Sequence, residues 1–289
     1  MVPRRIYLSG GGVCAMAHVG ALLELSDHIP LQGVKEWMGV SAGSLVCMCI
    51  CCGYTLDELM HICRGFDFIN ICDMDSIQGW ILRMGLDTGE RLHRLVKACL
   101  HVKGLSSEIT FQELYERSGL SLRVMATDLN EGKPVVFHHE TTPHYCVSHA
   151  IRASMSLPYY FQPFYCPDSG HYLIDGGVIS NYPMFLLSKE EQRQTIGILI
   201  PACVNTVEDI DGLPIDEAVI RPMNIAFQEK IKIETELYHS GCIQIHLADI
   251  NIIDFSFEDE TKDRIIAKGR EAVRTFLAAQ PRPHRRKSI

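Results

Sequence analysis

Three glycine-rich clusters hold the residues of this chain whose types and spacing suit chemistry. In the first, Gly39-Val40-Ser41-Ala42-Gly43 sets a serine between two apolar runs. That spacing fits a sharp strand-to-helix turn, with glycines relieving backbone crowding and the hydroxyl projecting above a sheet. A helix starting at Ala42 would aim its amides and dipole at an oxyanion formed beside Ser41. In the second, Ser9-Gly10-Gly11-Gly12 exposes successive amides with no side chains over them, a nest for negative charge. In the third, Asp175-Gly176-Gly177 offers a carboxylate that a second loop can approach closely.

Each cluster alone has a plainer reading: a Gly-rich turn, a dinucleotide loop, an Asp-Gly turn. The dinucleotide template fits Gly10, Gly12 and Ala15, but the acidic residue expected about 20 positions on falls near Leu31 and Gln32. All three patterns in this order have a chance probability on the order of one in ten thousand. Together they describe a nucleophile, an oxyanion hole and a base. A histidine base would have to be His239, His246 or His284, the histidines downstream of Asp175. None of them falls in a loop just past a strand, so a direct Ser41–Asp175 dyad is the better reading. It requires a partly desolvated Asp175, because a carboxylate near pKa ~3.9 is a weak base.

Strand-like and helix-like segments must position these clusters, and they alternate along the chain. This predicts an α/β fold with a largely parallel sheet and helices on its faces. Strands are expected at Arg4–Ser9, Val34–Val40, Ser121–Thr127, Pro134–His138, Tyr172–Ile174, Thr195–Ile200 and Cys242–Leu247. Helices are expected at Val13–Ser26, Ala42–Cys52, Tyr145–Met155, Glu217–Tyr238 and Glu260–Ala279, the last burying Ile265, Gly269, Ala272, Val273 and Phe276. Thr55-x-x-Glu58, Asp87-x-x-Glu90 and Thr110-x-x-Glu113 read as capping boxes opening three more helices. Residues 1–281 read as a single domain and 282–289 as a basic disordered tail. The stretch Phe66–Leu86, rich in Phe and Ile with Trp80, reads either as a lid facing lipid or as a core helix pair.

The 289 residues carry 27 Lys+Arg and 35 Asp+Glu, a net −8. Four cations lie in 282–289, so residues 1–281 stand at −12. An acidic body argues against a nucleic-acid binder, which needs a clustered cationic face. No run approaches the ~18 apolar residues of a membrane span, and the start of the chain does not read as a secretion signal. A cytoplasmic protein is expected. The twelve cysteines read as buried reduced thiols, and neither a metal nor another cofactor is expected.

The motifs resemble those of the patatin-like phospholipases. The resemblance is carried by Leu8–Gly12 with Ala17–Leu22, by Gly39–Ser44 and by Asp175–Val178. It extends to Ala126–Leu129, Ala150–Ser154, Leu157-Pro158 and Asn181–Pro183, covering Arg4 to about Pro183. It implies a three-layer α/β/α fold with a mostly parallel central sheet and a metal-free Ser–Asp dyad that cleaves fatty acyl esters of phospholipids or related lipids. By resemblance Ser41 is the nucleophile and Asp175 the proton acceptor. Amides of Gly10, Gly11 and Gly12, with that of Ala42, form the oxyanion hole, and Gly39, Gly43, Gly176 and Gly177 support the motifs. His18, Arg152 and Asn181 are expected to hold the shape of the site. A lipid substrate implies peripheral contact with a membrane, in which the basic tail is a candidate anchor; no protein activator is indicated. The family's glycine loop usually continues through a cation to a glycine, where this chain has Cys14 and Ala15. That departure keeps an alternative open, a catalytically weak or inactive lipid-binding protein on the same fold.

Overall fold

The computed structural model describes residues 3–71, 84–201, 204, 207, 210–213, 215–238, 241–247, 250 and 257–279. Its main sheet contains β1 (Arg5–Leu8), β2 (Glu36–Val40), β4 (Ser121–Asp128), β5 (Lys133–His138), β7 (Phe164–Tyr165), β8 (Tyr172–Asp175), β9 (Thr195–Leu199) and β10 (Cys242–Gln244). They lie in the order β10-β9-β1-β2-β4-β8-β7, with β5 also paired to β4. The five strands from β10 to β4 are parallel. The hairpin strand β5 and the returning β8 both run antiparallel to β4, and β7 antiparallel to β8. A separate two-stranded sheet joins β3 (Gly85–Asp87) to β6 (Tyr159–Phe161).

Alternation along the central strands fills both faces of the sheet. Ile6, Leu8, Trp37, Leu122, Val124, Ala126 and Ile198 belong to one buried cluster, and Tyr7, Met38, Val40, Met125 and Leu199 to another. A sheet apolar on both faces needs helices on both, which makes three layers. The first face packs against α1 (Met16–Ser26), α2 (Ala42–Cys51), α6 (Val147–Ser154) and α9 (Asp259–Ala279), whose apolar residues share its cluster. The second is covered by residues 182–187 and by Ile231 of α8 (Ile215–Leu237). The other helices are α3 (Leu56–Gly65), α4 (Glu90–Val102), α5 (Phe111–Ser118) and the short α7 (Lys189–Arg193). Among the described residues, no helix is long and apolar enough to cross a membrane.

Local sequence accounts for most element ends. Thr55 and Thr110 form reciprocal capping boxes with Glu58 and Glu113. The box expected at Asp87 is absent. Asp87 ends β3 and its Oδ1 accepts the Gly89 amide at 2.7 Å, so α4 starts instead from Gly89 in the left-handed region. The expected face of α9 is the buried one, with Ile265 and Val273 fully enclosed and Ala272 and Phe276 packed beside them. Gly269 on that face lets α9 cross α1 closely, since a Cβ there would stand 2.0 Å from the Ala17 carbonyl oxygen. Arg274 clamps the same pair through both oxygens of Glu24, at 2.8 and 2.9 Å. Gly269→Val is expected to lower stability by about 3 kcal/mol, read as a lower urea midpoint with an unchanged slope.

Ten cysteines are described and none of them is in a disulfide, with Cys14, Cys47, Cys49, Cys51 and Cys166 buried. In the Phe66–Leu86 stretch, Phe68–Ile71 form a short 3-10 turn; Ile77, Trp80, Ile81 and Leu82 lie outside the described residues, as does the 282–289 tail.

Candidate active site

β2 delivers its last residue, Val40, fully buried at the centre of the sheet, and α2 begins two residues later. Ser41 bridges them at φ 52°, ψ −134°. A positive φ at a residue with a Cβ costs about 1–3 kcal/mol and persists only where neighbours over-determine it. Here the Ser41 amide donates to Ser154 Oγ at 2.9 Å, and Ser154 Oγ donates to the Met125 carbonyl at 2.7 Å. Ser44 Oγ donates to the Ser41 carbonyl at 2.5 Å. The turn also presses against the first strand. A Cβ at Gly43 would lie 2.4 Å from the carbonyl oxygens of both Leu8 and Ser9, and Gly39 meets Ser44 as closely.

The glycine loop follows β1 and lies against this turn; a Cβ at Gly10 would stand 2.9 Å from that of Ser41. Ser9 anchors it by donating to the Gly10 carbonyl at 2.8 Å and accepting the Ile200 amide at 2.9 Å. Buried His18 bonds the Ser9 carbonyl through Nε2 at 2.8 Å. Burial pushes the His18 pKa down to about 4, so the ring is a neutral donor there. The Gly10 amide donates to Asn181 Oδ1 at 2.8 Å and is therefore occupied. Among the described residues, the amides of Gly11, Gly12 and Ala42 donate to no acceptor. The departures Val13, Cys14 and Ala15 are buried in a 3-10 turn, Gly12–Ala15, so apolar packing orders the loop at the place of the family's cation.

Asp175 arrives from the opposite side, at the end of antiparallel β8. Its amide donates to the Ser156 carbonyl at 2.9 Å, and its own carbonyl accepts Thr127 Oγ1 at 3.0 Å. Gly176 and Gly177 turn the chain immediately afterwards, and the Gly177 amide donates to Asp175 Oδ1 at 2.8 Å. Oδ2 is buried and has no hydrogen-bond partner among the described residues. Burial raises the Asp175 pKa to about 6, against the opposing pull of the Ser41 hydroxyl and the Gly177 amide. The hydroxyl thus acts on the carboxylate without closing a hydrogen bond to Oδ2, an arrangement that substrate commonly tightens.

Ser41, Asp175 and the glycine loop all line one cavity of about 190 Å³. Away from them its walls are apolar, with Val19, Leu45, Leu59, Phe66, Leu92 and Phe161 among them. The sequence profile of the patatin-like phospholipases matches residues 6–187, the stretch that holds all three motifs. The chain belongs to the patatin-like phospholipase family. A probable lipid hydrolase, 463L, of Invertebrate iridescent virus 6 is 28% identical over 193 residues, spanning 66% of this chain and 65% of the viral protein. The uncharacterized protein YqhO of Bacillus subtilis is 31% identical over 211 residues, or 66% of this chain and 69% of its own. VipD from Legionella pneumophila superposes with a TM-score of 0.66 at 15% identity over 96% of this chain and 67% of VipD, a likeness of fold.

The patatin-like motifs account for Ser41, Asp175 and the loop, but the residues that hold them are mostly visible only in the fold. Ser154 and Ser156 are the clearest case, since one grips the amide of Ser41 and the other that of Asp175. Arg152, one turn earlier, is buried and donates to the carbonyls of Gly89, Thr88 and Gln162 and to Ser156 Oγ. His246 is exposed and stands outside the cavity wall, while His239 and His284 lie outside the described residues.

Proposed function

We propose that this protein is a lipid acyl hydrolase that releases fatty acids from phospholipid or related lipid esters through Ser41 and Asp175. The observation that carries this reading is the Oδ2 of a buried, weakly acidic Asp175, unpartnered among the described residues, beside the strained Ser41 in the lining of a mostly apolar cavity. The name of the viral relative, a probable lipid hydrolase, points the same way. The acyl chain lies along the apolar wall, placing its ester carbonyl over Ser41. Ser41 Oγ attacks the carbonyl carbon as its proton passes to Asp175. The oxyanion is held by the Gly11, Gly12 and Ala42 amides and the α2 dipole, at ~3–4 kcal/mol per well-placed donor. Collapse expels the alcohol, which takes the proton from Asp175. Water then gives its proton to Asp175 and its oxygen to the acyl carbon, freeing the fatty acid and returning the proton to Ser41.

With a pKa of about 6, Asp175 is a stronger base than an ordinary carboxylate yet is mostly ionised at pH 7. A fluorophosphonate probe tests the reading, because only an activated serine labels. The labelling rate is expected to rise about tenfold per pH unit up to about pH 6 and to level above it, as Asp175 loses its proton. Absence of labelling at every pH would assign the fold to lipid binding without turnover. Ile62 lines the cavity and is also exposed, and exposed Ile69 follows the cavity residue Phe68. These exposed apolar residues support an entrance at an apolar rim suited to peripheral contact with a bilayer.

A further inference from the structure

We infer a divalent-metal site, suited to zinc, formed by Glu108, Cys146 and His149 at the amino-terminal end of α6. The ligating atoms of the three residues all lie within 4.8 Å of one another. Cys146 Sγ is 3.8 Å from Glu108 Oε2. Sulfur and oxygen ligands at ~2.3 and ~2.1 Å from a tetrahedral zinc stand ~3.6 Å apart, so little movement closes the site. The reading of the sequence expected no metal, because the ligands come from two segments that only the fold brings together.

The backbones that carry them are already fixed. Thr110 and Cys146 pair in an antiparallel bridge, and the Val147 amide donates to the Ile109 carbonyl at 2.9 Å. Cys146 precedes the first residue of α6 and makes no capping bond; its Sγ donates instead to the Ser107 carbonyl at 3.6 Å and lies beside Glu108 and Ser148. His149 follows three residues later, one turn along the same face. Glu108 is exposed, while Cys146 and His149 are half-buried.

The surrounding groups fit a cation with one adjustment. Lys97 of α4 pairs with Glu108 Oε1 at 3.3 Å, and a metal would displace that partly exposed ammonium into water. His93 of α4 reaches Ser148 Oγ at 3.3 Å, and Ser148 Oγ lies 3.3 Å from Cys146 Sγ. Asp168 adds a negative charge felt at His149. A thiolate and a carboxylate neutralise a divalent ion, and the mixed sulfur, nitrogen and oxygen set selects zinc over magnesium or calcium. The exposed side leaves the fourth position to water. Bound there, zinc would tie the 105–109 loop to the helix whose other end holds the backbones of Ser41 and Asp175. The site is independent of the acyl-hydrolase reading.

Cobalt(II) titration of the full chain after chelator treatment tests it. One equivalent should produce a thiolate-to-cobalt charge-transfer band that zinc removes. Zinc at a hundredfold excess over Kd should raise Tm by roughly 5 °C. Cys146→Ser and His149→Ala should abolish the band with circular dichroism unchanged, and the exposed Glu108→Gln should weaken binding at least tenfold. No band in the native chain overturns the proposal, as does a band that survives in Cys146→Ser. If Cys146→Ser does not fold, an unchanged cobalt affinity in Glu108→Gln overturns it instead.

Discussion

Asp175→Asn is expected to cut fatty-acid release from phospholipid vesicles by at least about 10⁴-fold while making the protein more stable at pH 7. The two effects have one origin. The Asp175 carboxylate is buried and Oδ2 has no partner, which raises its pKa to about 6. A carboxylate whose folded pKa exceeds its unfolded value of ~3.9 binds its proton more tightly when folded. Ionising it therefore costs stability, nothing below pH ~4, more as pH rises, and about 3 kcal/mol above pH ~6. Asparagine escapes that cost and keeps an oxygen for the Gly177 amide, but accepts no proton from Ser41. Ser41→Ala should match the loss of activity and also lose fluorophosphonate labelling. Because the inactive Asp175→Asn protein gains stability, unfolding cannot explain its silence. Full turnover in Asp175→Asn would retire the dyad, and loss of turnover in His246→Ala alone would restore a histidine base.

Arg152→Met is the second large effect, and it falls on stability. Arg152 is 3% exposed, and its guanidinium donates to three carbonyls and Ser156 Oγ. Burial lowers its pKa only to about 10, so it stays cationic at neutral pH. Methionine fills similar volume but breaks all four of these hydrogen bonds, with only the Gly89 carbonyl keeping a second donor, the His93 amide at 2.9 Å, a loss expected at about 3–5 kcal/mol. Lysine, with a single ammonium, should recover only part of it. Labelling of Ser41 should also slow in Arg152→Met, because Ser156 holds the Asp175 amide. A urea midpoint within error of the native one would show that this network is dispensable.

The residues proposed to react were legible because each sits in a contiguous pattern whose glycines state a local steric need. The strands on either side were legible from their apolar runs. What holds the reacting residues was not. Ser154 meets Ser41 across 113 positions, and Asn181 meets Gly10 across 171, distances over which no local pattern extends. For the same reason, sequence did not show that the Gly10 amide is occupied. The Asp87 reading failed because an aspartate two residues before a left-handed glycine satisfies that amide, mimicking a cap one element early. The alternation of strands and helices implied parallel neighbours, yet Asp175 arrives on β8, which follows its antiparallel partner β7 and runs antiparallel to β4. Ser188-x-x-Glu191 carries the same pattern and closes a further capping box at the start of α7.

The grip of Ser154 and Ser156 on both halves of the proposed dyad also bears on when the site comes into being. The nucleophile turn, the β4 carbonyl it leans on through Ser154, and the base are joined only by contacts between segments far apart in sequence. Such contacts close after local helices and hairpins have formed. During refolding, then, serine reactivity should appear after helical ellipticity and coincide with the final step. A chain still lacking its 154–156 clasp would be folded in most of its elements and chemically mute, which makes Ser41 a clock for the last stage of assembly.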